Sequence, residues 1–256
     1  MSKDTRSHET KIEIAASIEE VWRALTEAPY LARWFAPAMS TEPRVGGTFF
    51  ADWGAGIAWN TTVEVIDPPH HLRLVETRSH VHTSASDALA LTPARLVQDF
   101  YVSSAGGIVT VRLVHSGFGD GADWDGEFEG TRNGWRACFL RLQHTLELHR
   151  GEHVDNFILS SVFEGGNAEN LLQRVRHACP GGSEIVFAGT TEFAALIPGW
   201  NGSILTVSAQ QLPKSAVVYV EFLLYALPPG QVTIIKAEWQ DLITGGFPDT
   251  LYIARA

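Results

Sequence analysis

Residues 115–148 read HSGFGDGADWDGEFEGTRNGWRACFLRLQHTLEL, a glycine-rich acidic loop running into one long amphipathic helix. Phe128, Trp135, Phe139, Leu142 and Leu146 recur at spacings of seven, four, three and four. That is the 3.6-residue period, so these side chains share one face. A helix from Gly126 to His149 would run to roughly 36 Å at about 1.5 Å per residue. It is long enough to cross a whole sheet.

What precedes the helix supplies that sheet. Residues 8–15 alternate and predict a strand, and Ser17 followed three residues later by Glu20 makes a capping box for a first helix. That helix places Val21, Trp22 and Leu25 inward and ends near Pro29, and Tyr30–Phe35 makes a second short helical turn. Strands are then predicted at Thr48–Trp53, Trp59–Ile66, Leu72–Thr77, Arg95–Val102 and Ile108–His115, separated by Gly46-Gly47, Gly54–Gly56, Pro68-Pro69 and Gly106-Gly107. The small, polar Ser79–Pro93 segment reads as an insertion or lid. About five or six antiparallel strands then have one face to cover, and only the terminal helix is long enough to cover it. A cavity between sheet and helix is the default ligand site.

Several landmarks in this order carry a family resemblance: IEEVWRALTEAPYLARWFAP at 18–37, VGGTF at 45–49, IDPPHHL at 66–72, and the HSGF, GW and paired leucines of the ending. Residues 8–150 resemble the SRPBCC (START-like) helix-grip superfamily, in the branch named for the activator of a heat-shock-chaperone ATPase. The resemblance implies a curved antiparallel sheet wrapped on a long C-terminal helix around a hydrophobic cavity. It leaves function open, since members include lipid carriers, polyketide cyclases, stress proteins and co-chaperone domains.

Residues 156–256 predict a second, smaller α+β domain. Asn156–Phe163 reads as a strand, Asn167 as the N-cap of a helix over Ala168–Ala178, and Gly181-Gly182 as its stop. Strand-like runs follow at Glu184–Ala188, Ser203–Ala209, Ala216–Leu227, Gln231–Trp239 and Thr250–Ala254. This opening echoes the first domain, and a degenerate second helix-grip unit is one reading, although the closing long helix is missing from it.

Composition bounds the function classes. Nineteen basic against twenty-nine acidic residues give a net charge of −10, which argues against nucleic-acid and anionic-membrane partners. Cys138 and Cys179 lie far apart and match neither a metal motif nor a disulfide framework. No signal-peptide core or transmembrane run is evident, so a cytoplasmic location is expected. Residues 1–150 carry 33 charged side chains and residues 151–256 only 15. The charge-poor second part therefore suggests a homodimer or a protein partner.

Aromatic residues give the main functional signal. Trp22, Trp34, Phe35, Trp59, Phe128, Trp135 and Phe139 can line a cavity or simply fill the core. His115 shares strand parity with Val109, Val111 and Leu113, so it is either an inward base or donor or a structural histidine. Glu76 shares a face with Leu72 and Leu74, and sits either inward or at a wet edge. Asp120, Asp123, Asp125, Glu127 and Glu129 lack calcium-loop spacing and suit a helix N-terminus better. The pairs His80/His82 and His149/His153 lack a third ligand, and no nucleotide or nucleophile motif is present. No metal and no cofactor is expected. The first expectation is a non-enzymatic protein binding a hydrophobic small molecule. The alternatives are a stress-related or co-chaperone-like interaction module and a cofactor-independent cyclase or hydrolase.

Overall fold

The computed structural model describes residues 5–54, 57–78 and 94–245. The chain divides into two compact units, residues 1–150 and 151–256. The Gly54–Gly56 turn lies partly, and the Ser79–Pro93 insertion, the His80/His82 pair and the Thr250–Ala254 strand entirely, outside the described residues.

In the first unit, β1 (Arg6–Ile14) leads to α1 (Ile18–Thr26) and the short α2 (Ala28–Leu31). Six strands follow: β2 (Ala38–Thr41), β3 (Thr48–Gly54), β4 (Ile57–Asp67), β5 (His71–Arg78), β6 (Ala94–Ala105) and β7 (Ile108–Phe118). The closing helix α3 spans Asp125–Glu147, starting one residue before and ending two before the expected bounds. All seven strands form one antiparallel sheet in the order β1-β7-β6-β5-β4-β3-β2. Six strands after the helices meet the expected five or six, and the one not read from the sequence is β2, which at four residues carries too little alternation. The Pro68-Pro69 bond in the β4–β5 turn is cis. At the end of β7, Gly117 has φ +101°, and a Cβ there would run into the Arg95 carbonyl.

Local sequence explains the helix starts. Ser17 Oγ accepts from the Glu20 amide at 3.3 Å, and the Ser17 amide donates to Glu20 Oε2 at 3.2 Å. That backbone hydrogen bond leads the causes that hold the Glu20 carboxyl below its ordinary range. Val21 and Leu25 face inward as expected, but Trp22 is only half-buried. The second helical turn falls earlier than predicted, at Ala28–Leu31, because Pro29 is preorganised for a first turn. Asp125 and Glu127 occupy the first turn of α3, where carboxylates meet the positive end of the helix dipole. Asp125 also pairs with Arg6 at 2.6 Å.

The long helix runs alongside β1 in the same direction, tethered along its length. His8 meets Thr131, the Glu13 carbonyl accepts from Gln143 at 2.9 Å, and the Ala15 amide donates to Glu147 at 2.8 Å. The seven residue steps from His8 to Ala15 span roughly 23 Å. The sixteen residue steps from Thr131 to Glu147 span roughly 24 Å. The lengths match, so strand and helix stay in step. Ile14, Val109, Val111 and Leu113 from the sheet and Trp135, Phe139, Leu142 and Leu146 from the helix are all buried as core.

The second unit repeats this plan in shorter form. β8 (Val154–Glu164) leads to α4 (Ala168–Ala178), then β9 (Glu184–Ala188), β10 (Glu192–Ile197), β11 (Ser203–Gln211) and β12 (Ser215–Tyr225). The strands order as β8-β12-β11-β10-β9, so again the first strand lies beside the last. Asn167 caps α4 by accepting from the Asn170 amide at 2.9 Å.

Two expectations are corrected here. Residues 231–239 are not a strand but part of α5 (Pro229–Thr244), and α5 is the closing helix that the sequence reading found missing. The β-branched run Val232–Ile235 favours a strand locally. Tertiary packing overrides it, because Val232, Ile235, Trp239 and Leu242 fall at helical spacing and bury against the sheet core. The fold is thus α+β throughout: a helix-grip unit followed by a smaller unit of the same plan.

Candidate functional site

A cleft opens in the first unit where α1, α2 and α3 meet the sheet. Its lining includes Leu25, Leu31, Trp34, Phe35, Trp59, Phe100 and Trp135. It holds about 430 Å³ of atom-free space, counting solvent at its mouth. Its enclosed part is narrow. Among the described residues only two polar side chains line it, Thr61 and Gln98, and no charged one does.

Aromatic rings set its shape. Phe35 and Trp135 stack at 5.4 Å and 11°, joining the turn after α2 to the middle of α3. Trp53 lies edge-on to Phe35 at 4.9 Å, and Trp59 edge-on to Trp53 at 5.2 Å. The indoles are anchored at their polar edges. Trp34 Nε1 donates to the Ala24 carbonyl at 2.9 Å and Trp53 Nε1 to the Phe35 carbonyl at 3.1 Å. Trp135 Nε1 donates to His115 Nδ1 at 3.2 Å. A neutral His115 that accepts at Nδ1 must carry its proton on Nε2. With their N–H groups engaged outward, the rings offer apolar faces.

Four of the expected site residues meet at this cleft: Trp34, Phe35, Trp59 and Trp135. His115 stands one layer behind, 1% exposed, holding Trp135. Phe139 is core on α3, in edge contact with Trp135 at 6.1 Å. Phe128 sits elsewhere, against Leu96, Phe118 and Trp124, with the Arg6 guanidinium over its ring. Trp22 does not reach the lining. Glu76 is 4% exposed, which rules out the wet-edge reading, but it too lies off the lining.

The sequence reading passed over Gln98. It sits on β6 in the inward row Leu96, Gln98, Phe100 and Val102, where a lone amide among apolar residues was the available signal. It also passed over His8, buried at the far end of β1. Thr131 Oγ1 is positioned to donate to the Glu127 carbonyl at 2.9 Å, so it accepts from His8 Nε2 at 3.1 Å. His8 Nδ1 is then a buried acceptor without a partner. Burial first, and the Arg132 charge second, lower the His8 pKa to about 4.

Polar groups on the outer face of the sheet form a separate set. Asp99 accepts from His71 Nε2 at 2.7 Å and from Arg73 at 2.8 and 3.0 Å. Burial alone would raise its carboxyl, but those hydrogen bonds and charges outweigh it and hold the group below its ordinary value. Tyr101 stacks on His71 at 4.6 Å. These contacts brace β5 against β6 on the sheet's outer face. Among the described residues no three His, Cys, Asp or Glu side chains stand close enough to hold a metal ion. No described helix is long and apolar enough to cross a membrane.

A seven-stranded sheet closed by α3 over an aromatic cleft defines a helix-grip protein. The family model described as Activator of Hsp90 ATPase homolog 1-like protein matches residues 15–147, and the chain belongs to that family. Among solved structures it is similar to protein MLL2253 from Mesorhizobium loti, with 23% identity, 55% of this chain and 96% of that one covered, and a TM-score of 0.47. It is also similar to the Aha1 dimer from Colwellia psychrerythraea, at 20% identity, 57% and 99% coverage and a TM-score of 0.46. DynU16, described as a protein in the dynemicin biosynthetic locus, is 17% identical over 94% of this chain and 96% of its own, with a TM-score of 0.46. A search of curated proteins gave no match.

Proposed function

We propose that the first unit binds a small, flat, largely apolar molecule in the cleft between sheet and long helix. The observation that carries this reading is the cleft itself: a narrow space walled by Trp34, Phe35, Trp59, Phe100 and Trp135. Aromatic faces around a thin gap favour a planar guest, and the absence of charge among the described lining residues favours a neutral one. Catalysis draws no support, because Glu76 and His115 both lie off the lining and so would not touch a guest there.

Ala51 gives a direct test, since it lines the cleft with a side chain that can be enlarged. Ala51→Leu should fill the space and cut the affinity for a planar bicyclic probe such as indane at least tenfold. Its far-ultraviolet circular dichroism should match the parent's. Trp135→Ala should weaken the same probe by removing one wall. Undiminished binding in a folded Ala51→Leu protein would sink the reading. A probe bound by neither parent nor variant would do the same.

A further inference from the structure

Gln98 is the one cleft residue whose chemistry the apolar reading leaves unused. Its side chain is 2% exposed and lines the cleft, yet Nε2 finds no hydrogen-bond partner. Its neighbours across the sheet explain why. On one side stands Leu74, which offers no polar side-chain atom, and on the other His115, whose Nδ1 already accepts from Trp135. Phe100 follows two residues along the same face and meets Trp135 edge-on at 5.5 Å. Neither cross-strand neighbour offers the amide nitrogen a side-chain acceptor, so the cleft is the side on which a partner can arrive. Buried amides are as a rule hydrogen-bonded, and each exception calls for a reason.

Resting on the cleft-binding reading above, the geometry points to Gln98 as the residue that selects ligands by a hydrogen-bond acceptor, a ketone-like carbonyl oxygen on the edge of a flat aromatic frame. A neutral carbonyl suits the site better than a carboxylate, because among the described residues no cationic side chain lines the cleft to compensate a full charge. The rings hold the frame and the amide reads its rim. Sites that hydrogen-bond a polar group on the guest discriminate more sharply than apolar walls, since the wrong guest leaves the buried group unmatched.

Three bicyclic probes of similar size separate the possibilities by ligand-observed NMR titration: 1-indanone has the acceptor, indane lacks it, and indole offers a donor instead. The parent protein should bind 1-indanone about tenfold more tightly than indane. In Gln98→Met, which keeps length but removes the amide, that preference should fall to about onefold while indane binds as before. The variant should keep or raise the parent's melting temperature, because it removes an unmatched buried donor. Equal binding of 1-indanone and indane by the parent would overturn the assignment while leaving the cleft reading intact. So would a preference for indole, or a preference that survives in Gln98→Met. If the parent binds none of the three, the cleft reading falls and this assignment with it.

Discussion

Trp135 on the long helix donates its indole N–H to Nδ1 of His115 on β7, 3.2 Å away in the buried layer behind the cleft. This bond adds to those that tie the helix to the sheet and fixes the face that Trp135 turns toward Phe35. His115→Phe keeps the bulk but leaves the indole N–H buried and unmatched. We expect it to cost about 1–3 kcal/mol in urea unfolding. Trp135 fluorescence should shift as the ring loses its anchor. A variant as stable as the parent would show that the bond contributes nothing net.

His8 makes the stability of the first unit depend on pH. Its folded pKa, about 4, lies below the ordinary value of 6.5, so the unfolded chain binds the extra proton more readily. The contribution is therefore complete above about pH 6.5 and is lost as pH falls toward 4, reaching a few kcal/mol at most. His8→Phe should flatten the dependence of unfolding free energy on pH between 7 and 4.5, even if it lowers stability at pH 7 through the lost Thr131 contact. Parallel pH profiles for parent and variant would contradict this account.

In the second unit, α5 stands or falls with Trp239. The ring is 1% exposed and meets Phe222 of β12 edge-on at 5.3 Å. Trp239→Ala should destabilise the protein by about 3–5 kcal/mol, the cost of an unfilled aromatic site in a packed core. Chemical denaturation followed by circular dichroism will read it. A loss below 1 kcal/mol would mean that α5 is a loose appendage rather than the closing helix.

The first unit was legible because its signals agree at every level. The alternation of residues 8–15, the Ser17–Glu20 box and the one-faced apolar period of α3 each point to the same order of elements. The second unit was legible up to β12 apart from β10, and then the reading failed at α5, where local preference and packing disagree. Val232, Thr233, Ile234 and Ile235 taken singly favour a strand; only the positions of Trp239 and Leu242 reveal the helix. β10 escaped notice for another reason. Nearly all of Glu192–Ile197 is buried, so the run has no polar alternation to announce it. In the cleft, the tryptophans could be named from the sequence because their size and number stand out. Gln98 could not, since its meaning comes from what Leu74 and His115 fail to offer it across two strand pairings.

Both units place their first strand beside their last, and this arrangement has a consequence for how the chain is made. β1 has β7 as its sole strand neighbour, and His8 must wait for His115, 107 residues further along. At roughly 5–20 residues per second on the ribosome, that is a delay of about 5–20 s. During it the strand is shielded by charge, since Glu9, Lys11 and Glu13 alternate along its outward side. β8 waits for β12 in the same way, Val154 for Tyr225, but its Phe157–Leu159 and Val162-Phe163 segments carry no such guard. The nascent chain is therefore most exposed to aggregation in the interval between the synthesis of β8 and that of β12.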